Sequence, residues 1–310
     1  MTTQTFHWYE DPDEICQGGA VTIGNFDGVH LGHQSLLAEV RRQAARVNGP
    51  AVVITFDPHP MQLLRPDRFP PLLTTIETRA QLLQDYGADI VLILQTTPDL
   101  LQLRAREFFD DVLLAKLHPK VLVPGFNFGF GRNREGNVDT LAEYCIRSGV
   151  AYVLVSPTEE RGKSVSSSRI REAIQSGDVQ LAGDLLGRPY SVMGTVIEGQ
   201  KRGNTIGFPT ANLHDIPTLI PMDGVYAGQV NTGGQLRPAA VNIGPNPTFG
   251  EDEKKVEVHI VDFSGDLYGH PLRVEFLERL RDTKSFDGVD ALVAQLQKDV
   301  AETRRIANEK

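Results

Sequence analysis

Residues 20–34 read AVTIGNFDGVHLGHQ, a short apolar run, a glycine-rich turn, and two histidines three positions apart. An apolar run this short, closed by glycine and asparagine, has the pattern of a strand buried on both faces. From residue 33 to 47 the apolar side chains Leu36, Leu37, Val40, Ala44 and Val47 recur at helical spacing, so a helix is predicted to begin at about His33. A strand that feeds a turn and then a helix puts the turn at the strand's carboxyl end, where open α/β sheets bind ligands. The helix N-terminus offers unpaired N–H groups and a partial positive charge, which suit phosphate. Gly24, Gly28 and Gly32 lack a Cβ and let a nucleotide approach the backbone, and His30 and His33 can donate to phosphate oxygens. A metal pair, a nucleophilic histidine and a loop with two internally satisfied histidines are the competing readings. Zinc needs three or four protein ligands, and no Cys/His cluster completes this pair.

Outward from this stretch, strand-like and helix-like segments alternate. AVVITF (51–56), DIVLIL (89–94), KVLVPG (120–125) and AYVLVS (151–156) read as strands. ETRAQLLQDYG (77–87), AREFFDDVLLAKL (105–117) and VDTLAEYCIRSG (138–149) read as helices between them. Continuous β-branched runs separated by helices imply a parallel sheet covered on both faces. The pattern changes after GDLLGRPY. Short strand candidates start at residues 190, 225, 236, 255 and 272, with NTGGQ and DFSGD as turns, which argues for an antiparallel barrel or sandwich closed by a helix over 289–308. The boundary is placed near 183–189, giving domains 1–186 and 187–310.

Composition narrows the class. The 310 residues carry 40% hydrophobic and 23% charged side chains, ordinary for globular chains, and suffice for two domains. No apolar run approaches the ~18–20 residues of a membrane helix. The acidic opening MTTQTFHWYEDPDEIC has no signal-peptide core, and two isolated cysteines, Cys16 and Cys145, make no disulfide framework, so a reducing cytoplasm is expected. A net charge of −9 lacks the basic footprint of a nucleic-acid binder, so anionic substrates need local basic patches.

Three further stretches carry chemistry. In VSSSRIREAI (165–174) the serines can cap a helix, while Arg169 and Arg171 in its first turn oppose the helix dipole, a cost that bidentate phosphate contact would offset. No G-x-x-x-x-G-K-[ST] occurs, which excludes a P-loop kinase. Instead GQKRGNTIGFPTAN (199–212) spaces Gly199, Gly203 and Gly207 by four ahead of Thr210 and Asn212, which project to one side of an extended chain. A hydroxyl and an amide oxygen suit Mg2+, which takes few protein ligands. In LRVEFLERL (272–280) Leu272, Val274 and Phe276 share one face, and Arg273, Glu275 and Leu277 the other.

The H-x-G-H string resembles the signature of the nucleotidyltransferase superfamily. The longer TIGNFDGVHLGHQ, followed in order by TFDPHP, LVPGFNFGFGRNREG, VSSSRIREAI, GQKRGNTIGFPTANL, DGVYAG and NIGPNPTFG, resembles the bacterial bifunctional riboflavin kinase/FMN adenylyltransferase (FAD synthetase) family over nearly the whole chain. The resemblance implies a Rossmann-like nucleotidyltransferase domain with a parallel sheet, then an antiparallel β-barrel with a terminal helix. It implies that His30 and His33 hold the ATP phosphates, within a loop of Gly24, Asn25, Asp27, Gly28 and Gly32. Asn127, Ser166, Ser167, Arg169 and Arg171 are then further phosphate contacts, and His59, Phe126 and Phe128 border the flavin. Asp27 is left between holding a histidine tautomer and facing magnesium. In the kinase half, Gly199, Gly203 and Gly207 serve the nucleotide, Thr210 and Asn212 hold Mg2+, and Glu275, in its V-E-F context, is the catalytic base. Asn204, Pro245 and Asn246 depart from family patterns that often carry arginine. The implied ligands are ATP, riboflavin, FMN and FAD with Mg2+; no nucleic acid or membrane is expected, and the chain is expected to be a monomer or weak homo-oligomer.

Overall fold

Six parallel strands form the first sheet: β1 (Thr2–Phe6), β2 (Ala20–Ile23), β3 (Ala51–Asp57), β4 (Ile90–Gln95), β5 (Val121–Leu122) and β6 (Ala151–Tyr152), in the order β1-β4-β3-β2-β5-β6. The computed structural model describes residues 1–198, 203, 206–246 and 251–309, with backbone only for Asn246 and 251–254. Successive side chains of the central strands alternate between two apolar cores. Val21, Ile23, Val52, Ile54 and Leu92 face one core, with Phe108, Phe109, Leu141 and Cys145. Ala20, Ala51, Val53, Val91 and Ile93 face the other, with Leu36, Leu37, Val40, Ala80 and Leu83. Helices α1 (Leu31–Val47) and α3 (Ile76–Asp85) supply the second core, and the helical run 105–117 with α6 (Val138–Ser148) supplies the first. Between α1 and α3 lies the single turn α2 (Pro60–Leu64). The run 105–117 comprises α4 (Ala105–Glu107), a π-helical stretch (Phe108–Leu114) and α5 (Ala115–Leu117).

Three details depart from the sequence-based expectation. Helix α1 starts at Leu31, because His30 rather than a later residue is its cap. The fourth and fifth expected strands keep only two ladder residues each. Their chains still run side by side, with Val155 N–H donating to Pro124 O at 3.1 Å, but Pro124 has no N–H to return. Strand β1 was not expected at all: TTQTF lacks an apolar run and pairs only along the sheet edge, with β4.

Met1–Val165 is the first compact unit, ending in the short antiparallel pair β7 (Glu159–Glu160) and β8 (Lys163–Ser164), and Ser166–Lys310 is the second. It opens with α7 (Ser167–Gln175) and α8 (Val179–Leu186), ahead of the 183–189 region marked by composition, because α7 packs on α8 and α8 on the barrel. The barrel is closed and antiparallel, in the order β10-β13-β12-β11-β14-β9. Its strands are β9 (Tyr190–Ile197), β10 (Ala211–His214), β11 (Gly224–Thr232), β12 (Gln235–Asn246), β13 (Glu251–Ile260) and β14 (Pro271–Arg281). Val192, Val196, Tyr226, Val241, Val258, Val274 and Phe276 are buried in alternation along these strands. Helix α9 (Val289–Asn308) closes one wall, with Ile306 buried against Ala227 and Leu277.

Candidate active sites

In the first unit the site grows from the carboxyl end of β2. The chain runs from β2 to β3 and β4 on one side of it, and returns to β5 and β6 on the other. Such a switch point leaves a crevice outside the strand ends. The loop 24–30 fills its rim in an unusual backbone, with positive φ at Phe26 (50°), Gly28 (85°) and Val29 (39°). Phe26 and Val29 are fully buried, and a β-branched residue in that region is strained, as functional loops often are. His30 then caps α1: its Nδ1 accepts the His33 backbone N–H at 3.3 Å. In a neutral ring that leaves the proton on Nε2, a donor. The two imidazoles stack, with centroids 3.6 Å apart and planes 16° from parallel, and Phe26 meets His33 edge-on. Burial, then His30, then Arg79 hold the His33 imidazole well below the usual histidine range, and its Nδ1 is buried without a hydrogen-bond partner.

The glycines of this loop act within the protein. A Cβ on Gly32 would lie 3.2 Å from the His30 ring, and one on Gly24 would lie 3.3 Å from Phe26. Their missing side chains seat the two rings. Asp27 is withdrawn from solvent: it is 2% exposed, and its carboxylate accepts from Leu73 N–H, Thr74 N–H and the Thr74 hydroxyl at 3.0–3.1 Å. Asn25 is exposed, and its carbonyl accepts from the Thr55 hydroxyl.

Two neighbouring loops carry the other expected residues of this unit. After β5, Phe126 and Asn127 are exposed, and Arg134 donates to the Asn127 carbonyl at 3.1 Å. Phe128 instead stacks on the buried Phe130, which packs on Phe108 and Tyr144, so Phe128 is half core and half loop. After β3, His59 caps α2, its Nδ1 accepting from Met61 N–H at 3.0 Å, and its ring lies against Phe69.

In the second unit Ser166 caps α7, its hydroxyl accepting from Arg169 N–H at 3.3 Å. Ser167 opens the helix, Arg169 is half-buried and Arg171 is buried. Of the glycine loop, Gly199 and Asn204 lie outside the described residues. Gly203 is held tightly: its carbonyl accepts from Phe208 N–H at 2.8 Å, and a Cβ there would collide with Phe208 O. Gly207 takes φ 85° in the turn that follows.

The barrel register separates the expected kinase residues. Asn212 stands opposite Ile197 of β9 on one side and Glu257 of β13 on the other. Glu275 stands opposite Ser191 of β9. Ser191 and Ile197 are six residues apart on one strand, roughly 20 Å at about 3.3 Å per residue. Glu275 therefore does not join Thr210 and Asn212; its Oε2 accepts from Gln229 Nε2 at 2.7 Å. The carboxylate that does join them is Glu257, which the sequence reading passed over. It lies between Asn212 and Asn242 in register, with opposite Cα atoms about 5 Å apart. All three residues are half-buried, in alternation with the buried Leu213, Val241 and Val258. His259, next on this face, has its Nδ1 2.8 Å from Pro209 O and its ring against Phe208. KVEVHIVDF did carry a signal, since Lys255, Glu257 and His259 are the polar members of its alternation.

These residues fit magnesium. Thr210 and Asn212 offer a hydroxyl and an amide oxygen two residues apart, and Glu257 adds negative charge opposite Asn212. Among the described residues no group of three or more His, Cys, Asp or Glu is arranged for a metal, so any ion here would draw most ligands from phosphate and water.

Two family models match in tandem: FAD synthetase over residues 13–169 and riboflavin kinase over 186–307. The bifunctional riboflavin kinase/FMN adenylyltransferase of Pseudomonas fluorescens is 38% identical over 292 residues, which are 94% of each chain. This chain belongs to the bifunctional riboflavin kinase/FMN adenylyltransferase family. The Escherichia coli K12 member is 35% identical over 284 residues, 91% of each chain. A solved Streptococcus pneumoniae structure, described as a macrolide-efflux protein, is similar at 35% identity and TM-score 0.88, covering 98% of this chain and 99% of its own. Among the described residues no helix here is long and apolar enough to cross a membrane. The first unit thus carries the family's FAD synthetase region, and the barrel its riboflavin kinase region.

Proposed function

We propose that this chain performs both reactions of its family. Residues 187–310 transfer the γ-phosphoryl group of ATP to riboflavin, giving FMN. Residues 1–186 transfer the adenylyl group of a second ATP to FMN, giving FAD and pyrophosphate. The stacked His30–His33 pair at the N-terminus of α1 carries the adenylyltransferase half of this reading. A phosphate oxygen of FMN attacks the α-phosphorus of ATP, and the bond to pyrophosphate breaks. The nucleophile is already anionic, so the protein's part is positioning and charge stabilisation. His30 Nε2 and the ring of His33 donate to the polyphosphate, with Asn127 on the substrate phosphate.

For the kinase half, the register supports Glu257 over Glu275 as the base that takes the 5′-hydroxyl proton of riboflavin. Thr210 and Asn212 would hold Mg2+, which supplies charge neutralisation on the ATP phosphates when bound. The buried free cysteines suit a reducing cytoplasm. The test is to incubate the protein with riboflavin, ATP and magnesium and to separate the flavins. FMN followed by FAD is expected. FAD made only from supplied FMN would remove the kinase assignment, and FMN without FAD would remove the other.

A further inference from the structure

The strongest unassigned feature of the first unit is a buried ion pair behind the histidines. Arg79, in the first turn of α3, is 2% exposed. Its Nη2 lies 3.5 Å from Asp27 Oδ1 and 3.3 Å from Thr74 O, its Nε 3.5 Å from the Thr74 hydroxyl, and its Nη1 3.5 Å from Phe56 O. These contacts touch three segments at once: the loop after β2, the end of β3 that leads to His59, and the start of α3. Asp27 locks the same junction from its side, and Gly28 N–H donates to the Thr74 hydroxyl at 3.1 Å.

Two observations set Arg79 apart from an ordinary structural pair. Through Asp27 and the Thr74 hydroxyl it is tied to Gly28, in the positive-φ stretch that leads directly to His30. Its field also reaches His33, whose imidazole it helps to keep neutral.

We propose that Arg79 is a positioning residue for adenylyl transfer, fixing the strained 24–30 loop, and with it His30, through Asp27 and Thr74. This rests on the adenylyltransferase reading above. The loop's positive-φ residues do not hold their conformation alone, and a shift of about 1 Å at a reacting group can cost about 100-fold in rate.

The experiment uses the full-length chain and follows both reactions. Arg79→Met is expected to lower kcat for FAD formation from FMN about 100-fold, while riboflavin phosphorylation by the barrel stays at the wild-type rate. Because breaking one half of a buried pair also destabilises, the charge-neutral Asp27→Asn/Arg79→Met double variant is measured beside it. It is expected to regain most of the melting temperature of the first unit but not the FAD-forming kcat. Arg79→Lys, which keeps the charge, should recover part of kcat. Recovery of both melting temperature and kcat in the double variant, or an unchanged kcat in Arg79→Met, overturns the proposal. A wild-type protein that makes no FAD overturns the underlying reading instead.

Discussion

His30 and Gly32 show how closely the cradle is fitted. The His30 ring lies 3.2 Å from where a Gly32 Cβ would be, tight enough that one of them must give way. Gly32→Ala is therefore expected to tilt that ring and reduce FAD formation by an order of magnitude or more, roughly the scale of a misplaced catalytic group, with FMN formation unchanged. Replacing both His30 and His33 by alanine should stop FAD formation and let FMN accumulate, as chromatography of the flavins would show. His33 also sets an acid limit. Its folded pKa lies below the ordinary 6.5, so the unfolded chain takes up a proton the folded chain refuses. Stability is then full above about pH 6.5 and declines as pH falls below it. Urea midpoints at about pH 5.5 and 7.5 should differ less in His33→Asn than in the wild type. At this scale the sequence made the histidines plain, because motif and chain order coincide. It chose Glu275 for the kinase base because V-E-F and V-E-V look alike in sequence; the register, which puts Glu257 and not Glu275 opposite Asn212, is what favours Glu257 in our proposal. Glu257→Gln is expected to cut riboflavin phosphorylation by about 100- to 10,000-fold, the usual worth of a general base, while Glu275→Gln changes it little. The reverse result would reinstate Glu275.

Among the elements, β2, α1, β3 and β4 were legible because each has a strong apolar period and clear caps. Gly149 ends α6 in the left-handed conformation, as its place in the sequence suggested. Strand β1 was not legible, since Thr and Gln at a sheet edge have no apolar face to declare them. Nor was the short ladder of β5 and β6, where Pro124 interrupts pairing. Helix α9 makes a further prediction. Asp299, buried on its inner face, accepts from Arg281 Nε and Nη2 at 2.7–3.2 Å and from Gln295 Nε2 at 2.9 Å. Asp299→Ala leaves Arg281 without that carboxylate and should destabilise the second unit by about 3–5 kcal/mol, visible as a lowered denaturation midpoint of the barrel. Arg281 and Lys284 also lie over the Phe286 ring, so the same change should loosen the segment between β14 and α9.

Across the whole molecule, two chemistries are attached to two different ways of finishing a sheet. The first sheet is open and covered by helices on both faces, and its candidate site lies at the strand ends. The second is closed, and its candidate kinase residues stand along the outer wall of β10, β12 and β13. That closure has a consequence for synthesis on the ribosome. Strand β9 is translated first but ends up bonded to both β10 and β14. The cylinder cannot complete until β14 emerges, about 80 residues after β9 begins, on the order of 4–16 s at bacterial elongation speeds. Throughout that interval the nascent chain presents β9 with one flank bare, so nascent chains halted before residue 271 should be the ones that recruit chaperones.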